Sequence, residues 1–194
     1  MTATIKINVE KLNPQFIQDL QEKYAGSALE IKVGPGRDAG RMTESLFWEI
    51  ISLLDWSQAG NDEAVIAPAV EKLVSMPIHY VYGFEDLLSE KLFELDARKF
   101  AEQIGEDSYS PGNFFSVDNF LYVRCCVVAN GQEYYAQVLE EPSLMPKDLA
   151  FEPLLYIAAQ AYRRKTGKPF NYLPAFNYET FSNEEGWGNE NEES

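Results

Sequence analysis

The sequence has little of what builds disulfide frameworks, metal centres or membrane spans. Its 194 residues include two cysteines and one histidine, and they contain no apolar run of about 18 residues, the length that a membrane helix needs. Because Cys125 and Cys126 are adjacent, a disulfide between them would be strained, and we expect reduced, buried thiols. His79 has no second histidine or cysteine at metal-ligand spacing. The sequence therefore predicts neither a metal ion nor a cofactor.

Basic residues are also scarce, and no secretory signal is visible. The first ten residues, MTATIKINVE, do not combine a basic segment with an apolar stretch, which predicts a cytoplasmic protein. The chain has 16 Lys and Arg against 31 Asp and Glu, for a net charge of −15. Residues 1–38 hold five bases and five acids, residues 39–183 carry a net −10, and residues 184–194 carry −5. The acidity thus belongs to the body and the end of the chain.

This charge distribution restricts the classes of partner. A strongly negative protein repels the phosphate backbone, so direct binding of DNA or RNA is not expected. No association with a membrane is expected either. A basic protein or a cation would be attracted, although the same charge can simply keep the protein in solution.

Residues 1–34 have the pattern of a small strand-helix-strand (βαβ) unit. TIKINV and ALEIKV alternate apolar and polar residues, and between them Asn13 and Pro14 can start a helix that Gly26 can end. Two strands and one helix bury too little surface to be stable alone. We therefore expect residues 1–34 to form a homodimer with a second copy or to lean on the rest of the chain. The glycine-rich residues 35–41 are predicted to be a linker.

From residue 42 onwards helical periodicity dominates, and hydrophobic residues, 45% of the chain, suffice for a packed core. Predicted helix starts and ends are marked by capping residues and glycines: Thr43, Asn61, Ser116, Gly131 and Gly167. Pro68 predicts a kink or a restart, and Asp96 an interruption of the long helical segment 78–104. The predicted fold is mainly α, a compact helical bundle-like domain preceded by the βαβ unit, and thus α+β overall.

The end of the chain is predicted to lose this regularity. Residues 168–183 are rich in aromatic residues and should pack on the body as an extended arm. Residues 184–194 are acidic and nearly devoid of aliphatic residues, which predicts a disordered tail. The basic residues 163–165 precede Gly167 in the last turn of a predicted helix, where they should complement the carbonyl ends rather than bind phosphate.

Four segments together resemble a known family. They are FWEIISLLDW, FEDLLSEKLFELD, VDNFLYVRCCVVANGQEYYAQVLEEP and FEPLLYIAAQAYRRKTG. In this order they are similar to the domain of unknown function 4240 family, over about residues 42–167, with residues 1–34 outside the match. The family's central signature falls on Asp118, Phe120, Arg124, Ala129, Gly131 and Glu133. The resemblance implies a helical fold and, because such domains accompany regulatory modules, a regulatory or binding role.

The sequence shows no motif of nucleophilic catalysis. It has no G-x-S-x-G pattern, and the apolar setting of VRCCVV should raise the pKa of both thiols. The candidate site is a set of polar residues on otherwise apolar helices: Asp96, Asp118, Tyr122, Arg124, Glu152 and Tyr156. Asp118 and Tyr122 share a helix face, as do Glu152 and Tyr156. These residues either form a buried ion-pair network that fixes helix packing or line a ligand-binding cleft.

Two functions follow from these alternatives. The first is a non-enzymatic interaction or regulatory module, in which the acidic helical body meets a basic protein and residues 1–34 form a dimer. The second is a small-molecule-binding protein or a hydrolase that uses a carboxylate and arginine cleft. The second function requires an enclosed pocket lined by Asp118, Arg124 and Glu152.

Overall fold

The computed structural model describes residues 41–188 together with Gln18, Lys23 and Tyr24. The chain divides into two compact units, Met1–Gly34 and Pro35–Ser194. In the first unit, Gln18 and Lys23 have helical backbone. Several predictions concern residues outside the described part of the chain. They are the two strands of the βαβ unit, the linker 35–41 except for Arg41, and a dimer contact through residues 1–34.

The second unit is helical, and its described part contains no strand. Its α-helices are α1 (Glu44–Ile51), α2 (Asp62–Ser75), α3 (His79–Glu94), α4 (Arg98–Ala101), α5 (Val117–Ala129), α6 (Gln132–Glu140), α7 (Ile157–Thr166) and α8 (Glu184–Trp187). Short 3-10 turns cover Trp56–Gln58, Pro142–Leu144 and Glu152–Tyr156. The prediction of a mainly helical domain is confirmed.

Local capping chemistry explains where several helices begin. The side-chain oxygens of Thr43, Asn61 and Ser116 each accept a hydrogen bond from the backbone N–H three residues on, at 3.2 Å. Gly167 ends α7 with a φ of 70°, a conformation that glycine adopts without strain. The predicted caps are therefore confirmed.

At two places the helices differ from the predicted pattern. Helix α2 runs through Pro68 without a restart. Val65, Ile66, Ala69 and Val70, on both sides of the proline, are buried in one core, and this burial outweighs the single hydrogen bond that a proline removes. The segment 152–166 begins as a 3-10 turn at Glu152–Tyr156 and becomes α-helical only at Ile157.

The core lies among α2, α3, α5 and α7. Helix α2 packs most extensively against α7, and α3 contacts both α5 and α7. Aromatic rings join α1 to this core, because Phe47 packs on Phe84 at 5.0 Å and Trp48 on Tyr135 at 5.3 Å between ring centroids. These aromatic contacts hold α1 against α3 and α6.

Residues 168–183, here called the C-terminal arm, run along α3 without forming a helix or a strand. The rings of Phe170 and Tyr172 pack on Tyr82. Farther along, Asp86 accepts hydrogen bonds from the Tyr172 hydroxyl and from the Ala175 N–H. Because the arm meets successive turns of α3, it covers one face of that helix, as predicted from its aromatic content.

The chain after the arm differs from the predicted disordered tail at its beginning. Glu184–Trp187 form the short helix α8, capped by Asn183. The Trp187 ring packs against Tyr109, Phe115, Phe120 and Phe181. These ring contacts, together with the hydrogen bonds of Asn183 to Asp96 and to the Phe93 carbonyl, hold α8 on the domain. Residues 189–194 lie outside the described part.

Within the described residues, no helix has both the length and the apolar composition that crossing a membrane requires.

Candidate functional site

The six predicted polar residues separate into an inner pair and an outer group. Asp96 and Arg124 are completely buried. Asp118 and Tyr156 are exposed, and Tyr122 and Glu152 are half-buried. Asp96 contacts Arg124, whereas Tyr122, Glu152, Tyr156 and Asp118 lie near one another. The structure therefore does not bring all six residues together in one cleft.

The inner pair begins with Arg124, in the middle of α5. Its Nη1 donates to the Leu92 carbonyl at 2.8 Å and lies 3.9 Å from an Asp96 carboxylate oxygen. Its Nη2 donates to the Thr180 hydroxyl oxygen at 2.9 Å, and its guanidinium lies over the Phe120 ring at 4.8 Å. Burial lowers the pKa of Arg124, and the nearby Asp96 carboxylate opposes that effect. Arg124 therefore remains a cation at neutral pH, with its charge compensated inside the fold.

Asp96 connects the core to the end of the chain. It interrupts the segment between α3 and α4, as predicted, and its carboxylate accepts hydrogen bonds from Asn183 N–H at 3.0 Å and from the Trp187 indole N–H at 2.9 Å. A third, longer bond comes from the Phe181 N–H at 3.3 Å. Asp96 and Arg124 together bind the C-terminal arm and α8 to the helical body.

The outer group lies where α5 meets the turn Glu152–Tyr156. The Phe151 N–H donates to the Tyr122 carbonyl at 2.9 Å, which brings this turn beside α5. The Tyr156 hydroxyl donates to the Glu152 carboxylate, and this bond raises the pKa of Tyr156 to about 12. Burial, followed by the carboxylates of Glu152 and Asp118, raises the pKa of Tyr122. Both phenols are therefore neutral hydrogen-bond donors near pH 7.

Three more acids, which the sequence reasoning did not single out, extend the outer group. The Asn119 amide donates to Asp107 at 3.0 Å, and Asp148 accepts from the Glu106 N–H at 3.0 Å. Glu106, Asp107, Asn119 and Asp148 line one open depression of about 440 Å³, together with Leu149 and Ala150. Asp118 adjoins Asn119 in the sequence and Glu152 lies two residues after Ala150, so we group five acids under the name acidic face: Glu106, Asp107, Asp118, Asp148 and Glu152. The contacts of Asp107 with Asn119 and of Asp148 with Glu106 depend on the loops before α5 and after α6, and no local pattern signals them.

A second ionic cluster that the sequence reasoning missed surrounds Lys91. Its ammonium lies 3.2 Å from Glu44, 3.5 Å from Glu94 and 3.9 Å from Glu90. Burial acts to lower the pKa of Lys91, but the three carboxylates outweigh it and raise that pKa overall. The Tyr135 hydroxyl donates to Glu94. This cluster joins α1, α3 and α6, and Lys91 is compensated by its neighbours.

The two cysteine thiols, which are buried, are not activated as nucleophiles. Burial raises the pKa of the Cys125 thiol, as expected for the run VRCCVV. The described residues contain no group of three or more His, Cys, Asp or Glu side chains placed to hold a metal ion. What the acidic face offers is negative charge, hydrogen-bond acceptors and adjacent aromatic rings.

The fold and the site together define a mainly helical domain with a buried arginine-aspartate pair and an acidic outer surface. The chain belongs to the family described as Protein of unknown function (DUF4240), whose model matches residues 42–164. This match confirms the resemblance found in the four sequence segments. No match was found among the curated proteins or among the solved structures.

Proposed function

We propose that the helical domain is a non-enzymatic interaction module whose acidic face binds a basic segment of a protein partner. The observation that carries this proposal is the separation of the candidate residues. Arg124 is compensated by Asp96 inside the fold, whereas the exposed Asp118 and the half-buried Glu152 have no basic partner among the described residues. The unneutralised charge is on the outside.

The chemistry of the acidic face suits arginine in particular. Carboxylates can accept two parallel hydrogen bonds from one guanidinium. Tyr122 and Tyr156 lie beside Glu152, so an arginine held by the carboxylates would also meet aromatic rings. Leu149, 60% exposed at the edge of the depression, adds apolar surface. These features support a short basic segment with arginine as the ligand.

The alternative function, a ligand-binding or hydrolytic cleft, receives less support from the geometry. It requires Asp118, Arg124 and Glu152 to line one enclosed pocket. Arg124 is completely buried and donates to Leu92 and Thr180, while Asp118 is exposed on the outer surface. The homodimer through residues 1–34 and the cytoplasmic location stay predictions.

Removing charge from the acidic face should weaken binding of a basic peptide. The probe is a fluorescein-labelled arginine-rich peptide, titrated with the full chain and with the triple variant Glu106→Gln, Asp118→Asn and Glu152→Gln. Because each partly exposed ion pair contributes about 0.2–1 kcal/mol, the loss of three pairs should weaken binding roughly tenfold at low salt. Raising the salt to roughly 0.3 M should weaken wild-type binding as well.

A matched control distinguishes the effect of the acidic face from the effect of the protein's net charge. The variant Glu133→Gln, Glu140→Gln and Glu141→Gln removes three charges from exposed residues at α6 and its end, none of which belongs to the acidic face. It should bind the peptide within about twofold of the wild-type affinity, since screened charges at a distance contribute little. Equal losses in the two triple variants, or wild-type binding that is insensitive to salt, would contradict the proposal.

A further inference from the structure

Glu85 is a buried carboxyl group that neither the inner pair nor the acidic face uses. Its side chain is 6% exposed, and it has no hydrogen-bond or ion-pair partner among the described residues. On α3 it follows Val81 by one turn and precedes Leu88 by nearly one turn, in a stripe that continues to Leu92. This spacing places a carboxyl group where the helix otherwise turns apolar residues to the core.

The C-terminal arm covers Glu85. On one side, Asp86 accepts the Tyr172 hydroxyl at 2.9 Å and the Ala175 N–H at 2.9 Å. One turn farther along α3, the Ser89 hydroxyl oxygen accepts the Phe176 N–H at 3.3 Å. Tyr178 is packed against the core, and burial followed by the Glu85 carboxylate raises its pKa to about 12. The arm therefore crosses α3 directly over this carboxyl group.

We infer that the C-terminal arm is a strap whose docking on α3 depends on the protonation of Glu85. A neutral Glu85 carboxyl is tolerated beneath the docked arm. An ionised carboxylate at the same place has lost most of its hydration and gained no partner, and it regains water when the arm loosens. Loosening would uncover the face of α3 that carries Tyr82 and Asp86.

The groups around Glu85 offer it no positive charge. Its neighbour on α3 is Asp86, and the groups facing it from the arm are the phenols of Tyr172 and Tyr178. Of the helices packed against α3, α5 brings the Cys125 thiol close to Tyr178. Helix α7 places the ring of Tyr162 on Tyr82. None of these groups carries a positive charge that could compensate the negative charge of an ionised Glu85.

The direction of the pH dependence follows from this environment. Burial, and then the charge of Asp86, raises the pKa of Glu85 from an ordinary 4.5 to about 7. The docked arm therefore favours the protonated carboxyl, so docking is strongest at pH values below 4.5. As the pH rises from 4.5 towards 7, the ratio of docked to loosened arm falls by up to about tenfold per pH unit. Above that window the ratio is constant.

Hydrogen-deuterium exchange of the full chain tests the strap at pH 5 and pH 8, with rates corrected for the intrinsic effect of pH. The reporters are the amides of residues 170–187, which include the Ala175, Phe176 and Asn183 donors. In the wild type, protection of this segment should fall at least about tenfold at pH 8. In Glu85→Gln, a neutral side chain of the same shape, the segment should remain protected at both pH values.

Two comparisons make the result decisive. The amides of α2 are an internal reference, because a loss at pH 8 that spreads equally through α2 would mean general destabilisation and would overturn the inference. Glu63→Gln, an exposed change on α2, should keep the wild-type behaviour. Unchanged protection of the wild-type arm, or the same loss in Glu85→Gln and the wild type, would also overturn it. If the Glu85→Gln variant did not fold, as judged by loss of its helical circular dichroism, the wild type alone would decide. The test would then be whether protection at pH 8 falls in the arm and not in α2.

Discussion

Replacement of Asp96 by alanine should lower the free energy of unfolding by about 3–5 kcal/mol, the cost of removing one partner from a buried ion pair. The variant leaves Arg124 as a buried cation without its carboxylate. It also removes the acceptor for the Asn183 N–H and the Trp187 indole. Urea denaturation followed by circular dichroism gives the value, and Asp96→Asn, which keeps an acceptor oxygen, should lose less.

A double-mutant cycle distinguishes the ion pair from ordinary packing. In the Asp96→Ala, Arg124→Met double variant no buried charge is left unpaired, so the loss should be clearly smaller than the sum of the two single losses. A coupling below about 0.5 kcal/mol would show that the two side chains act independently. That result would contradict the role given to the inner pair.

Replacement of Trp187 by alanine should lower the free energy of unfolding by about 2–4 kcal/mol, although the residue belongs to the acidic segment 184–194. Its indole packs on Phe181 at 4.4 Å and on Tyr109 at 5.2 Å between ring centroids, and its N–H bonds Asp96 at 2.9 Å. Part of the ring is exposed, which keeps the loss below that of a fully buried tryptophan. The measurement is again the free energy of unfolding in urea.

The matched variant for this prediction is Trp187→Phe. It keeps a ring among the aromatic partners but loses the indole hydrogen bond to Asp96 and part of the ring surface, so about 1–2 kcal/mol should be lost. If Trp187→Ala and the wild type unfolded at the same urea concentration, α8 would make no contribution to the stability of the domain.

Helix boundaries could be predicted from the sequence because their determinants are local. Thr43, Asn61 and Ser116 each cap a helix through a bond to the residue three positions on. The break at Asp96 could also be predicted, because a carboxylate interrupts an apolar run. Helix α8 could not be predicted, because its stability comes from rings as distant in sequence as Tyr109 and Phe120.

The residues of the candidate site could be predicted from the sequence, but their separation into an inner pair and an outer group could not. Polar residues on apolar helices were recognisable, and the spacing of Asp118 and Tyr122 placed them on one face. Whether such faces meet depends on the relative rotation of helices, which long-range packing determines. Arg124 thus contacts Asp96 and Thr180, and Thr180 is 56 residues away in the sequence. Glu85 did leave a signal, since it shares the helical spacing of Val81, Leu88 and Leu92.

We expect the inner pair to stabilise the fold while the acidic face binds a basic partner. Two-dimensional NMR of the isotope-labelled full chain, titrated with the arginine-rich peptide, tests both parts at once. Shifts should concentrate at residues 106–107, 118–122 and 148–156, and the amides around Asp96 and Arg124 should stay unchanged. Shifts centred on the C-terminal arm or on α5 around Arg124, or none on the acidic face, would contradict the claim.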